Sequence, residues 1–183
     1  MAEQSLKDKT VKGTFWSAAD AFLGQGVTFV VGIVLARILS PAEYGLIGIV
    51  MIFTIVLSGL VDSGFSMALI RKKNATDEDY NTMFITNMMI SLLVYVLLWL
   101  SAPVIAHFFE RPELTSITRV MGMILIFQAT SITQVTILTK RIDFKTKTKA
   151  SIVSAVISGI IGIMMAYLSF GVWALVAQIL SKT

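Results

Sequence analysis

Few side chains in this 183-residue chain could do chemistry, and they stand singly in long apolar surroundings. Between positions 44 and 70 the only side chain charged at neutral pH is Asp62. Asp20 and Gln25 occupy an earlier apolar run, Asn87 and Gln134 two later ones, and Lys182 the last. A carboxylate or ammonium at the centre of a membrane-length helix costs on the order of 3 kcal/mol, so each is by default a binding or ion-coupling hypothesis. The candidates for substrate binding or coupling are therefore Asp20, Gln25, Asp62, Asn87, Gln134 and Lys182.

Catalysis finds no such support. The absence of cysteine excludes thiol nucleophiles, thiolate metal sites and disulfides, and a single histidine, His107, excludes His-based metal clusters. Gly24-Gln25-Gly26 lacks the third glycine and the preceding strand of a dinucleotide loop, and no phosphate-binding loop occurs. No catalytic residue, metal or cofactor is expected. The enzyme alternative, an integral membrane glycosyltransferase, needs acid-rich loops for a metal-bound sugar nucleotide. Asp77-Glu78-Asp79 is the only such cluster, and with Thr76 before it the cluster reads as a capped helix start.

The elements that must hold these residues follow from composition. Hydrophobic residues make up 56% of the chain and charged residues 14%, with mean hydropathy +0.82. A soluble domain carries about 25% charged residues, so this chain cannot cover a water-facing globule. The reading is an all-α, polytopic transmembrane helix bundle. Helices are expected at about 14–38, 44–70, 82–109, 115–139 and 150–169, with an incomplete sixth at 172–183, and a C-terminal bundle is expected to be missing. The first helix is too long for a signal-peptide core, contains Asp20 and lacks a small-x-small cleavage site, so it is read as retained.

Pro41 marks a turn between the first two helices, and Pro103 a kink in the third. Gly24, Thr28, Gly32 and Ala36 form a stripe at four-residue spacing, with Asp20 one turn earlier; Ala150, Ser154, Ser158, Gly162 and Ala166 form another. Both suit close helix packing in lipid.

The net charge of +4 is explained by topology rather than by nucleic acid. Eleven Lys and Arg residues lie in the loops on the N-terminal side, the richest being the stretch 140–149, against three on the other side. By the positive-inside rule the N-terminus is cytoplasmic. At about 1.5 Å rise per residue, Asp20 lies about 9 Å and Asp62 about 12 Å inside the cytoplasmic edge of their helices. Asn87 and Gln134 fall at similar depth. Four polar groups at one level suit either a hydrated cavity or hydrogen bonds between helices. Lys182, reached from the outer side, is expected near the midplane, where it suits an anionic, phosphate-linked lipid; snorkelling to an interface is the alternative.

One family resemblance emerges from these residues. Leu39-Ser40-Pro41-Ala42-Glu43-Tyr44-Gly45 after a cation-ended helix, Val61-Asp62-Ser63-Gly64 with Ala68-Leu69-Ile70, and Ala102-Pro103-Val104-Ile105-Ala106 carry its first part. Phe108-Phe109 with Pro112-Glu113-Leu114, Lys140-Arg141 with Phe144-Lys145, and Gly171-Val172-Trp173-Ala174-Leu175-Val176 complete it. The chain resembles the polysaccharide flippases (Wzx-type, lipopolysaccharide biosynthesis) of the multidrug/oligosaccharidyl-lipid/polysaccharide exporter superfamily, over the N-terminal bundle.

The resemblance implies alternating-access movement of undecaprenyl-diphosphate-linked oligosaccharide across a bacterial inner (plasma) membrane. The implied partners are that lipid-linked oligosaccharide, membrane lipids and polysaccharide polymerase or assembly proteins. The chain departs from the family in length, and in having Lys182 as its only central cation for a diphosphate. A drug or small-molecule exporter of the same superfamily, and a non-transporting membrane scaffold or truncated fragment, are the alternatives.

Overall fold

The computed structural model describes residues 20–62, 64–72, 75–140 and 144–183; the side chains of Asp20, Asp62 and Phe144 lie outside this description. A π-helical turn, Asp20–Gly24, leads into α1 (Gln25–Ile38). There follow α2 (Pro41–Asp62), the short α3 (Phe65–Arg71) and the long α4 (Asp77–Phe108). The bundle continues with α5 (Glu113–Met121), α6 (Met123–Lys140), α7 (Phe144–Tyr167) and the short α8 (Val172–Lys182). Among the described residues five stretches are long and apolar enough to cross a membrane: Ala21–Ile38, Pro41–Arg71, Asp77–Phe108, Glu113–Lys140 and Lys145–Tyr167. The chain is a multi-pass, all-α membrane protein.

Its helices alternate in direction. Arg71, Lys72, Lys140, Lys145, Lys147 and Lys149 gather at one end, hereafter the basic end. Burial runs inside-out: large apolar residues such as Phe22, Phe29, Val104 and Phe108 face outward, while Asn87, Ser91, Thr118, Thr133 and Ser158 are buried. Toward the opposite end, one apolar cluster joins α1, α2, α5, α7 and α8 through Leu35, Val50, Leu114, Ala166 and Leu175. A second joins α2, α4 and α6 through Val61, Val94, Leu98 and Leu125.

The expected turn at Pro41 is instead the first turn of α2. Proline suits that position because its missing N–H would have no partner there. Ser40 precedes it: its backbone N–H and Oγ both donate to Glu43 Oε2, at 2.6 and 2.9 Å, and close a capping box. Thr76 and Asp79 form a capping box for α4: Thr76 N–H donates to Asp79 Oδ2 at 2.9 Å and Asp79 N–H donates to Thr76 Oγ1 at 3.4 Å, so α4 begins at Asp77 rather than near 82.

The other departures each have a glycine or a local sequence cause. The expected second helix is broken by Gly64, whose φ of +77° lies in the left-handed region. With α2 already 22 residues long, about 33 Å, the depth reckoned for Asp62 along a straight helix to position 70 does not hold. The expected fourth helix divides at Gly122, which lies against Tyr95 and Leu98 of α4. The basic stretch expected as a loop is helical from Phe144 onward, because Lys145, Lys147 and Lys149 are ordinary helix formers. The helix α4 continues through Pro103 to Phe108.

The two small-residue stripes part company. On α7, Gly162 packs on Ala174 and Gln178 of α8, with Ser158 and Ala166 buried on the same row. On α1, Gly32 has open space beside it and lines a cavity instead of packing on a neighbouring helix. The close approach to α1 comes from Gly159, a position off the stripe: a Cβ there would lie 2.5 Å from Val31 Cγ2. Val31 is β-branched and cannot swing aside. Gly159→Ala is therefore expected to destabilise the protein by about 1–3 kcal/mol. Thermal unfolding in detergent measures this, and Val31→Ala in the same chain should restore much of the loss.

Candidate functional site

The helix α8 starts from a fixed point. Gly171 has φ +58° and ψ −129°, and a Cβ there would strike Glu43 Oε1, so the start of α8 rests on the capping box of α2. Its small residues and the α7 stripe seat it deeply: Ala174, Leu175 and Val176 are buried. Eleven helical residues later it delivers Lys182 about 15 Å inward.

There Lys182 Nζ donates to Thr28 Oγ1 at 2.9 Å, and Thr28 Oγ1 itself donates to the Gly24 carbonyl oxygen at 2.8 Å. Thr28 stands ten residues before Ile38, also about 15 Å from the opposite end of α1. Both helices thus place the contact between Lys182 and Thr28 about 15 Å from that end of the bundle. No described carboxylate lies within ion-pair distance of Lys182. One donor of the ammonium is used on Thr28; two more are available to a ligand.

Lys182 borders two cavities. One, of about 680 Å³, lies between α1, α2 and α8 and reaches Ile124 of α6; its wall is largely apolar, with Gly32, Ile47, Gly48, Met51, Leu175 and Ile179. The other, of about 600 Å³, lies between α6 and α7 at the end of α8 and is more polar, with Thr130, Ser131, Gln134, Lys147, Ser151 and Ser154. Ser131 Oγ donates to the Thr183 carbonyl oxygen at 3.3 Å, which ties the end of α8 to the wall of the second cavity. An apolar chamber and a polar one meeting at a cation suit an amphiphile with an anionic junction.

The other expected site residues fall elsewhere. Gln134 is exposed to the polar cavity and shares it with Lys182. Asn87 does not join them: it is fully buried on α4, and neither Oδ1 nor Nδ2 has a hydrogen-bond partner. Lys140 Nζ lies 5.9 Å from the Tyr80 ring centroid, and Gly122 faces Tyr95 and Leu98. That antiparallel register sets Thr133, also buried with an unpartnered Oγ1, opposite Asn87. Of the four polar groups expected at one level, Asn87 and Gln134 are the two with described side chains, and they share neither a cavity nor a hydrogen bond. Gln25 is exposed on α1 and borders neither cavity. The side chains of Asp20 and Asp62 lie outside the described residues.

Thr28 was visible in the sequence only as part of a packing stripe. Lys140 was visible only as a loop charge, although its four-residue spacing from Thr136 placed it on the buried row of α6. Among the described residues no cluster of His, Asp and Glu could hold a metal ion.

Five stretches long and apolar enough to span a membrane, with a cation exposed to two adjoining cavities, describe a multi-pass helical membrane protein. A family of proteins described as polysaccharide biosynthesis proteins matches residues 34–183, and the chain belongs to that family. It is 28% identical over 176 residues to the succinoglycan biosynthesis transport protein ExoT of Rhizobium meliloti strain 1021, covering 96% of this chain and 36% of that protein. It is also 28% identical over 181 residues to the teichuronic acid biosynthesis protein TuaB of Bacillus subtilis strain 168, covering 97% and 36%. The lipopolysaccharide biosynthesis protein WzxC of Escherichia coli strain K12 is 25% identical over 119 residues, 65% of this chain and 24% of that protein. The chain thus spans about a third of the length of the first two relatives. No solved structure matches.

Proposed function

We propose that this chain is the N-terminal bundle of a carrier that moves lipid-linked oligosaccharide, joined through a diphosphate to undecaprenol, across a bacterial inner membrane by alternating access. The names of its relatives speak of polysaccharide transport and synthesis. The observation that carries the reading to a mechanism is the Lys182 ammonium, held on Thr28 where the apolar and polar cavities meet.

In this reading the lipid end of the cargo uses the apolar chamber, the phosphate meets Lys182, and the first sugars hydrogen-bond Ser131, Gln134 and Ser151. Membrane helices place polar groups where cargo passes and apolar groups where lipid packs. The basic end faces the cytoplasm, which the positive-inside rule favours. Polymerase and assembly proteins would take the cargo on the outer side.

The test is complementation. A flippase-null strain with matched cargo receives the whole reading frame containing this chain, and surface polysaccharide is scored. Restoration is expected. Confirmed membrane insertion without restoration would count against the carrier and favour a scaffold.

A further inference from the structure

The basic end of the bundle contains a segment built to move. The seven-residue α3 is set off from α2 by Gly64 at φ +77°, and space beside Gly64 is open. Between α3 and α4 lies a cavity of about 240 Å³, bordered by Phe65, Leu69 and Lys72 on one side and by Asp79, Met83 and Thr86 on the other. Leu69 is the buried apolar anchor of α3, and polar contacts add to it at the helix end. Lys140 Nζ, from the end of α6, donates to the carbonyl oxygens of Leu69 and Lys72 at 2.9 and 2.6 Å. These are carbonyls left without helical partners at the end of α3, where a cation is also favoured by the helix dipole. Lys72 in turn pairs with Asp79 at 2.7 Å.

Beneath this cover lies the row Met83, Asn87 and Ser91 on the inner face of α4, at four-residue spacing and buried. Met83 stands directly between the cavity under α3 and Asn87. The Asn87 amide is fully buried with none of its hydrogen-bonding capacity used, a condition that penalises the closed arrangement. Two opposed terms therefore act on one hinged segment: charge-assisted bonds from Lys140 favour closure, and the dry Asn87 amide favours admission of water.

We propose that α3 is a hinged cover, latched by Lys140, whose opening about Gly64 exposes Met83 and hydrates Asn87 from the basic end. With two opposed local terms acting on one hinged segment, a small change in either shifts the equilibrium between closed and open, which is what a switching element requires. The proposal does not depend on the nature of any cargo.

The chain has no cysteine, so one introduced thiol reports alone within it. In membranes of cells making the full protein, Met83→Cys is labelled with a water-soluble maleimide, and the rate is compared across backgrounds. Lys140→Met is expected to raise the rate about tenfold or more, because it removes both charge-assisted bonds to the Leu69 and Lys72 carbonyls. Asn87→Leu, which removes the amide and keeps an apolar fill, is expected to lower it severalfold. Ser158→Cys, a near-isosteric reporter buried on α7, is expected to stay unlabelled throughout. An unchanged rate at position 83 in the Lys140→Met background would overturn the latch. So would a parallel rise at position 158, because Lys140 would then stabilise the whole bundle rather than the cover. An unchanged or higher rate with Asn87→Leu would overturn the opposing role of the amide.

Discussion

Gly171→Val is expected to destabilise the protein by about 2–4 kcal/mol and, on the proposed carrier function, to abolish polysaccharide export by the full protein. The first part of that loss is conformational. Gly171 sits at φ +58°, ψ −129°, where a β-branched residue is strained, and such strain costs of order 1–3 kcal/mol. The second part is a collision. A Cβ at position 171 would strike Glu43 Oε1, and that carboxylate cannot simply withdraw because its other oxygen accepts hydrogen bonds from Ser40 N–H and Oγ. Displacing it opens the capping box of α2, worth about 1 kcal/mol.

The functional loss follows from rigidity: α8 is a single helical rod from Gly171 to Lys182, so tilting its start moves the ammonium at its end. Thermal unfolding in detergent measures the stability, and surface polysaccharide measures export. A diagnostic pair is Gly171→Ala with Glu43→Ala. The double variant should lose less than the sum of the single losses, since removing the carboxylate removes the collision as well as the cap. Strict additivity would show that the contact between Gly171 and Glu43 carries no energy.

The contrast between Gly171 and Gly64 illustrates what a sequence of this kind does and does not disclose. Both glycines have positive φ, yet Gly171 is wedged against another helix and Gly64 faces open space. Hydropathy and the polar gaps in it reveal that five helices cross and roughly where, because lipid imposes a length on each apolar run. The Thr76 cap and the entry of α8 at Val172 are equally local and equally legible.

What is not legible is which neighbour a residue meets. The stripes on α1 and α7 look alike in sequence, but Gly162 packs on α8 while Gly32 borders a cavity. The difference lies in where α8 inserts, which no periodicity on α1 encodes. The count for Asp62 assumed a straight helix that Gly64 interrupts. Asn87 shares its level with Gln134, as counted, but is fully buried while Gln134 lines the polar cavity, a difference that depth does not encode. For Lys182 the count needs no partner helix: its distance along α8 from Gly171 follows from the rise per residue alone.

On the proposed carrier function, Lys182→Met is expected to reduce export by the full protein at least tenfold while leaving its insertion and thermal stability nearly unchanged. The side chain is exposed to the two cavities and makes one hydrogen bond, to Thr28 Oγ1. Methionine keeps the unbranched stem and is compatible with the helix, so the fold loses little. The cargo-binding reading loses much more. Hydrogen bonds to a charged group contribute about 1.5–3 kcal/mol, and in a low-dielectric space the ammonium is the group a phosphate would seek.

Thr28 provides the graded control. Its hydroxyl donates to the Gly24 carbonyl and accepts from Lys182, so Thr28→Val removes the support but leaves the charge, and only a severalfold loss is expected. Lys182→Arg keeps the charge on a larger planar group and should fall between the two. Export in membranes, scored at equal protein level, ranks the variants. If Lys182→Met exported as well as the parent while Ser131→Ala and Gln134→Ala did not, the polar cavity would be the binding space and the anion would be held by Lys147 or by residues outside this chain. If all of them exported normally, neither cavity would lie on the route of the cargo.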